Sequence, residues 1–209
     1  PNERCCGHDL LWAGDIEHFV KLAQHNMEEI GKAKAKRVVV TCPECYHTLK
    51  VEYPRYVAGL GFEVIHMSQL LAEKVDIEEI KFRPLRKTVT YHDPCRLGRF
   101  SGIYDEPRAV ISAIPGLELV EMPRSRGSAL CCGTQGWINC GAVNKQIQRE
   151  RLLEAKSTGA ELLLTACPKC QIHLRCAMND GRLAEELSMG IEDVTSLAAR
   201  LMVGQELLA

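Results

Sequence analysis

The sequence predicts an α/β fold of two pseudo-symmetric half-domains with mainly parallel sheets. Three observations predict it: an internal repeat, helical periods alternating with short apolar strands, and cysteine clusters at the same point of each copy. A shift of about 126 residues lays Cys5, Cys6 and Gly7 on Cys131, Cys132 and Gly133. It lays Val38, Val39, Val40, Thr41, Cys42, Pro43, Glu44 and Cys45 on the stretch from Leu163 to Cys170. The tails answer each other too, Gly61, Phe62 and Glu63 with Gly190, Ile191 and Glu192, then 69–72 with 196–199. A repeat this long means two copies of a small domain rather than a solenoid.

Within the first copy, Ile16, Phe19, Val20, Ala23, Met27 and Ile30 recur at helical spacing, with Asp15 as N-cap and Gly31 as stop. Residues 37–41 are apolar and β-branched, which predicts a buried strand. The second copy predicts a helix over 143–156 stopped near Gly159, then a strand over 162–166. Further strands are expected at 62–67, 88–92 and 117–121. Helices alternating with buried strands imply parallel pairing. The charged, Pro84-containing segment 76–87 reads as the linker, giving a first half-domain over 1–80 and a second over 88–209. Cys42 and Cys167 fall where a strand gives way to a helix, with Pro43 and Pro168 suited to the first helical turn. Unpaired N–H groups and the helix dipole there favour thiolate over thiol, and open α/β sheets place their sites beyond such strand ends.

The chain of 209 residues is 46% hydrophobic and 25% charged, with a net charge of −1 and a pI near 6.8. No global basic field draws it to nucleic acid or anionic lipid. No apolar run reaches the roughly 18 residues of a membrane span and no signal peptide precedes the first cysteines, so a cytoplasmic protein is expected. The chain begins at Pro1 with cysteines at positions 5 and 6, and an upstream stretch is expected.

Eleven cysteines set the chemistry. The count is odd and the chain is long, which disfavours a secreted disulfide framework and favours metal ligands or redox thiols. The second copy carries Cys95, then 35 residues, Cys131 and Cys132, then 34 residues, Cys167 and Cys170. The first carries Cys5 and Cys6, then 35 residues, Cys42 and Cys45, and its partner to Cys95 would lie before residue 1. Five thiolates are one too many for tetrahedral zinc, and neighbours such as Cys131 and Cys132 serve one small ion poorly. A multi-iron cluster accepts adjacent ligands on different irons, while zinc stays open as the alternative. A thioredoxin-like pair fits poorly, because each CxxC comes with a CCG.

At these residues the chain resembles the CCG cysteine-rich domain family over nearly its whole length. The motif Cys95…Cys131-Cys132-Gly133…Cys167-Pro168-Lys169-Cys170, the string His92-Asp93-Pro94-Cys95 and the string Cys42-Pro43-Glu44-Cys45 carry the resemblance. The family includes the catalytic subunit of heterodisulfide reductase, subunits of sulfite-reducing membrane complexes, and iron–sulfur subunits of glycolate, lactate and glycerol-3-phosphate dehydrogenases. The resemblance implies that Cys95, Cys131, Cys132, Cys167 and Cys170 bind one noncubane [4Fe-4S] cluster. It implies that Cys5, Cys6, Cys42 and Cys45 supply four ligands of a second, with a disulfide cleaved between the two. It implies iron–sulfur (ferredoxin-like) and flavin-containing partner subunits, a small thiol or disulfide substrate, and peripheral attachment through a membrane-anchored partner. An electron relay within a flavin dehydrogenase is the alternative role, and a structural zinc module the alternative of another class.

Disulfide reduction also consumes protons, and His8, His47, His92 and His173 lie close to cysteine ligands. His92 is the candidate catalytic donor because it precedes a ligand in the complete motif; the other reading for each is a histidine that caps a strand or helix. Arg96 and Arg99 are candidates to clamp an anionic substrate, against a reading as solvated loop residues. Cys140 and Cys176 match no motif position and are expected as small buried hydrophobes. Gly7 and Gly133 are expected to relieve crowding near the cluster or to serve as turn glycines.

Overall fold

The computed structural model describes residues 2–59, 61–134, 140–181 and 184–203. The first half opens with α1 (His8–Ala13) and α2 (Ile16–Lys32), and the Asp15 carboxylate accepts from the His18 N–H at the start of α2. A parallel pair follows, β1 (Arg37–Val40) beside β2 (Glu63–His66), running in register from Arg37 opposite Glu63 to Val40 opposite His66. Between them α3 (Pro43–His47) passes through one π-helical turn (Thr48–Glu52) into α4 (Tyr53–Tyr56). Then α5 (Met67–Asp76) starts from His66, whose ring accepts from the Ser68 N–H while Gln69 accepts from the His66 N–H.

The second half contains β3 (Lys87–His92), α6 (Asp105–Ser112), β4 (Leu117–Leu119), α7 (Ala142–Ser157), β5 (Leu162–Thr165), α8 (Pro168–Met178), α9 (Ala184–Leu187), β6 (Gly190–Asp193) and α10 (Val194–Leu201). Its four strands are all parallel, in the order β4-β3-β5-β6. The fold is therefore α/β as the sequence predicts, and every expected strand forms within two residues of its expected ends. The repeat is visible in space: β5 and β6 pair as β1 and β2 do, α7 answers α2, α8 answers α3 and α10 answers α5. Among the described residues, β3, α6 and β4 have no counterpart in the first half, so one edge of β1 stays open.

Strand alternation sends side chains to two faces of the four-stranded sheet. Val89, Tyr91 and Leu164 face a core shared by both halves, with Phe19, Tyr53, Val64 and Leu71 from the first and Val110, Ile111 and Leu197 from the second. Helix α5 packs on α6 and α10, which is how the halves come to share that core. Each fully buried side chain of this size contributes about 1.5–3 kcal/mol of transfer free energy. The opposite face carries Leu163 into a second cluster with Leu152, Leu174, Cys132, Cys167 and Cys170. The segment expected as a plain linker is a packed strap instead. Phe82 is buried and bridges to Met202, Arg83 N–H donates to Leu201 O, and Val203 N–H donates to Lys81 O.

Candidate metal centres

Strand ends and helix starts bring the second set of cysteines together. Strand β3 ends at His92, and the loop after it carries Cys95; the Asp93 carboxylate fixes that loop by accepting from both terminal nitrogens of Arg108 and from the Arg126 N–H. Strand β5 ends at Thr165, and Cys167 caps α8, its sulfur 3.5 Å from the Cys170 N–H that donates to it. Cys131 and Cys132 arrive on the chain just before α7. The thiols stand in hydrogen-bond contact in the order Cys95, Cys131, Cys132, Cys170, Cys167. All five line one cavity of about 110 Å³.

The first set repeats the arrangement with one sulfur fewer. Cys42 caps α3 with Pro43 at its first turn. The contacts run Cys5, Cys6, Cys45, Cys42, the counterparts of Cys131, Cys132, Cys170 and Cys167 in the same order. Gly7 and Gly133 both adopt left-handed backbone, with φ of +80° and +78°. A Cβ on Gly7 would lie 2.9 Å from Phe19 Cδ2, and one on Gly133 would lie 2.7 Å from Asn144 O. The glycines are therefore required by the turn and by the approach of α2 and α7.

Hydrogen bonding splits each sulfur chain into thiols held down and thiols pushed up, and in the first set Cys42 as well as Cys6 is lowered by a bond from Cys45. Hydrogen bonds from Cys132 and Cys95 hold Cys131 down at about 2, and bonds from Cys45 and Cys5 hold Cys6 down at about 3. Their donors are pushed up, Cys132 to about 12 by its bond to Cys131. Metal binding must therefore displace protons from the remaining thiols. Five soft sulfurs in a continuous chain, two of them adjacent in sequence, suit a multi-iron cluster; a tetrahedral zinc ion would leave one sulfur over.

The first turns of α3 and α8 meet. Glu44 and Lys169 occupy the same position of the two CPxC motifs, and Lys169 Nζ donates to Glu44 Oε2 at 2.9 Å and to Asp9 Oδ1 at 2.9 Å. Lys169 is nearly buried, so this pair joins the starts of α3 and α8 directly. His8, Trp12 and Glu44 of the first half close over the five-cysteine cavity. The Arg96 guanidinium lies 3.8 Å from the Trp12 ring centroid and 4.2 Å from that of Phe100, with Nη1 buried and lacking a hydrogen-bond partner among the described residues. Nothing in the sequence marked these aromatics or Asp9, and Glu44 and Lys169 stood out there only as the third residues of the two CPxC motifs.

Several expected roles change. Arg99 donates to Gly127 O and Ala129 O, stapling the stretch that leads to Cys131, so it is no substrate clamp. Cys140 and Cys176 are exposed, and Lys145 Nζ lies 3.1 Å from the Cys176 sulfur, so neither is a buried hydrophobe. His8, His47, His92 and His173 are buried, and burial first, with Arg96 second, pushes His8 down to about 4. His8 sits between Thr48 Oγ1 and Glu44 Oε1, and His47 Nε2 meets Glu52 Oε1. A ring nitrogen of His92 lies within 4.8 Å of the Cys132 and Cys170 sulfurs, and burial and then the Arg151 charge push the ring down to about 3.

The sequence profile of the CCG cysteine-rich domain matches residues 1–50 and 89–175, both cysteine sets included. The chain belongs to this family. As a CCG protein it is 38% identical over 207 residues to a subunit of the dihydromethanophenazine:CoB–CoM heterodisulfide reductase of Methanosarcina barkeri, covering 96% of this chain and 50% of that one. It is 31% identical to a subunit of the fumarate reductase (CoM/CoB) of Methanothermobacter marburgensis, over 93% of this chain and 38% of that one. It is 36% identical to the probable iron–sulfur-binding oxidoreductase FadF of Bacillus subtilis, over 90% of this chain and 27% of that one. The chain thus spans half or less of the length of these CCG relatives. No helix among the described residues is long and apolar enough to cross a membrane.

Proposed function

We propose that this chain is the iron–sulfur redox part of a heterodisulfide-reductase-like complex, acting on a small thiol or disulfide. The observation that carries this reading is the unbroken row of five sulfurs from Cys95 to Cys167, lining a cavity that the first half closes. In this reading Cys95, Cys131, Cys132, Cys167 and Cys170 hold a noncubane [4Fe-4S] cluster, and Cys5, Cys6, Cys42 and Cys45 hold a second. The fifth ligand of the second comes from a segment outside residues 1–209 that fills the open edge of β1. A cleft of about 410 Å³ runs along that edge, lined by Val38, Val39, Cys6 and Cys45. The half-domains span 1–80 and 88–209, meeting at the shared core.

When bound, such clusters supply one-electron storage and soft iron for sulfur. Reducing a disulfide takes two electrons and two protons and gives two thiols. Electrons come from iron–sulfur or flavin partner subunits on the cytoplasmic side, one of them anchored in a membrane. The chain's own contribution is to exclude water and orient the substrate. Arg96, fixed between Trp12 and Phe100 at the cavity wall, presents a buried N–H to an anionic end of the substrate. His92 stands beside the second centre, where the Arg151 Nε–H donates to its Nδ1.

A second reading, electron relay within a flavin dehydrogenase, draws support from the four-sulfur first set and from the oxidoreductase name of the Bacillus subtilis relative. The assay is anaerobic, on the purified complex with its electron donor, reading thiol release from added disulfides. Thiol release that falls at least tenfold in Arg96→Ala, with iron content unchanged, supports the disulfide reading. No thiol release from any disulfide, with the clusters still reducible by the donor, moves the assignment to the relay.

A further inference from the structure

His92 is held in one tautomer by a second buried residue. Its Nδ1 lies 3.0 Å from Arg151 Nε, and Arg151 is fully buried. A guanidinium N–H can only donate, so Nδ1 must accept. A neutral imidazole has one lone pair and one N–H, and the lone pair is now used; the proton therefore sits on Nε2. That atom is buried and has no hydrogen-bond partner among the described residues. A ring nitrogen of His92 and the sulfurs of Cys132 and Cys170 lie within 4.8 Å of one another, so the ring stands against the sulfurs of the second centre.

Arg151 is itself fixed, donating from Nη1 to Arg124 O at 2.8 Å and to Glu154 Oε2 at 3.0 Å. The Arg124 side chain closes the network on Glu150 and Glu154. Two buried residues from separate elements, β3 and α7, thus orient one N–H. An unpaired buried donor is costly, and the ring recovers that cost only if Nε2–H finds an acceptor.

We infer that His92 is a positioning residue whose Nε2–H donates a hydrogen bond to a thiolate of the second centre, with Arg151 setting the tautomer that makes it a donor and bars it from binding metal. The inference rests on the cysteine centre proposed above. An N–H aimed at a ligand sulfur stabilises the more negative, reduced state, and so raises the reduction potential. A histidine ligated through Nε2 would have to lose that proton or break the Arg151 contact. Among the described residues the first half has no counterpart of β3, and so none of His92.

The test uses the anaerobically loaded full chain with its partner subunits. Pulsed electron paramagnetic resonance on protein with 15N-labelled histidine should show one weakly coupled nitrogen and an exchangeable proton that disappears in D2O. A coupling of the size of a directly bound nitrogen overturns the inference, and so does the lack of any coupled nitrogen. His92→Leu should shift the second centre's oxidised-to-reduced ratio at fixed potential about tenfold toward oxidised, about 59 mV for one electron. His92→Gln, whose amide nitrogen reaches the place of Nε2, should recover most of that shift. An unchanged potential in an iron-replete His92→Leu protein overturns it, and if that variant does not load iron the wild-type measurement still decides. Zinc without sulfide would sink the cluster reading alone; 15N-resolved NMR of the zinc form then reads the His92 tautomer, and a proton on Nδ1 would overturn this inference by itself.

Discussion

In the second half, β3 lies beside β5 and delivers Cys95 to Cys131; in the first half the matching edge of β1 is open, and Cys5, the counterpart of Cys131, is exposed. The consequence appears in the charge. With Cys95 donating, negative charge settles on Cys131, the outer sulfur of the CCG pair. In the first half the bond to Cys6 pushes Cys5 up, and bonds from Cys45 hold both Cys6 and Cys42 down. Among the described residues the two halves thus differ in the cysteines they bring together and in how exposed these are, while both CPxC turns put a proline in the first turn of a helix capped by their first cysteine. Burial differs likewise: Cys132, Cys167 and Cys170 are part of a hydrophobic cluster, whereas the first-half cysteines are half-buried or exposed.

The largest test of this contrast removes one matched ligand from each half. Cys132→Ala should abolish metal binding in the second half and lower stability by about 3–5 kcal/mol, because buried ligands couple binding to folding. Cys6→Ala should cost less than half as much by denaturant titration. Equal losses would mean that the two halves are equally built around their metal.

Next comes the contact between them. Breaking a buried ion pair leaves a charge uncompensated, so Lys169→Ala should destabilise by about 3 kcal/mol. Exchanging the charges, Glu44→Lys with Lys169→Glu, should restore most of that loss, since the two sites are equivalent by the repeat. Failure of the exchange to restore stability would assign the effect to Asp9 or to packing.

What the sequence made legible was the repeated part: the CPxC turn at a strand end, the paired helices, and the strands read from runs such as Val38 to Val40. What it hid lay in contacts between distant segments. Charged residues read as solvated unless something places them, so Lys169 on its apparently exposed turn gave no sign of Glu44. Arg151 sits in α7 among Glu150, Arg149 and Glu154, a composition typical of a surface helix, yet it is fully buried against His92. The exposure of Cys140 and Cys176 ran against cysteine's usual burial, because the helices carrying or flanking them turn those positions outward. The strap at Phe82 read as a linker because its burial depends on Met202, far along the chain.

A smaller contrast concerns the motif glycines. Gly133→Ala would drive Cβ against the backbone oxygen of Asn144, which cannot swing aside, whereas Gly7→Ala meets the edge of the Phe19 ring. Both also carry the left-handed penalty of about 1 kcal/mol or more. Gly133→Ala should therefore cost about 2–3 kcal/mol and Gly7→Ala about 1–2 kcal/mol, read from thermal midpoints. The smallest effect belongs to the exposed thiols: Cys140→Ala and Cys176→Ala should change stability by less than about 0.5 kcal/mol and leave bound iron unchanged. Iron lost from Cys176→Ala as from Cys132→Ala would overturn the ligand assignment.

The most direct measurement is the iron, acid-labile sulfide and zinc content of the anaerobically prepared chain, alongside Cys167→Ala and Cys42→Ala. The account predicts iron and sulfide in near-equal amounts well above zinc, with about four irons lost in Cys167→Ala and fewer in Cys42→Ala. Stoichiometric zinc without labile sulfide would contradict it.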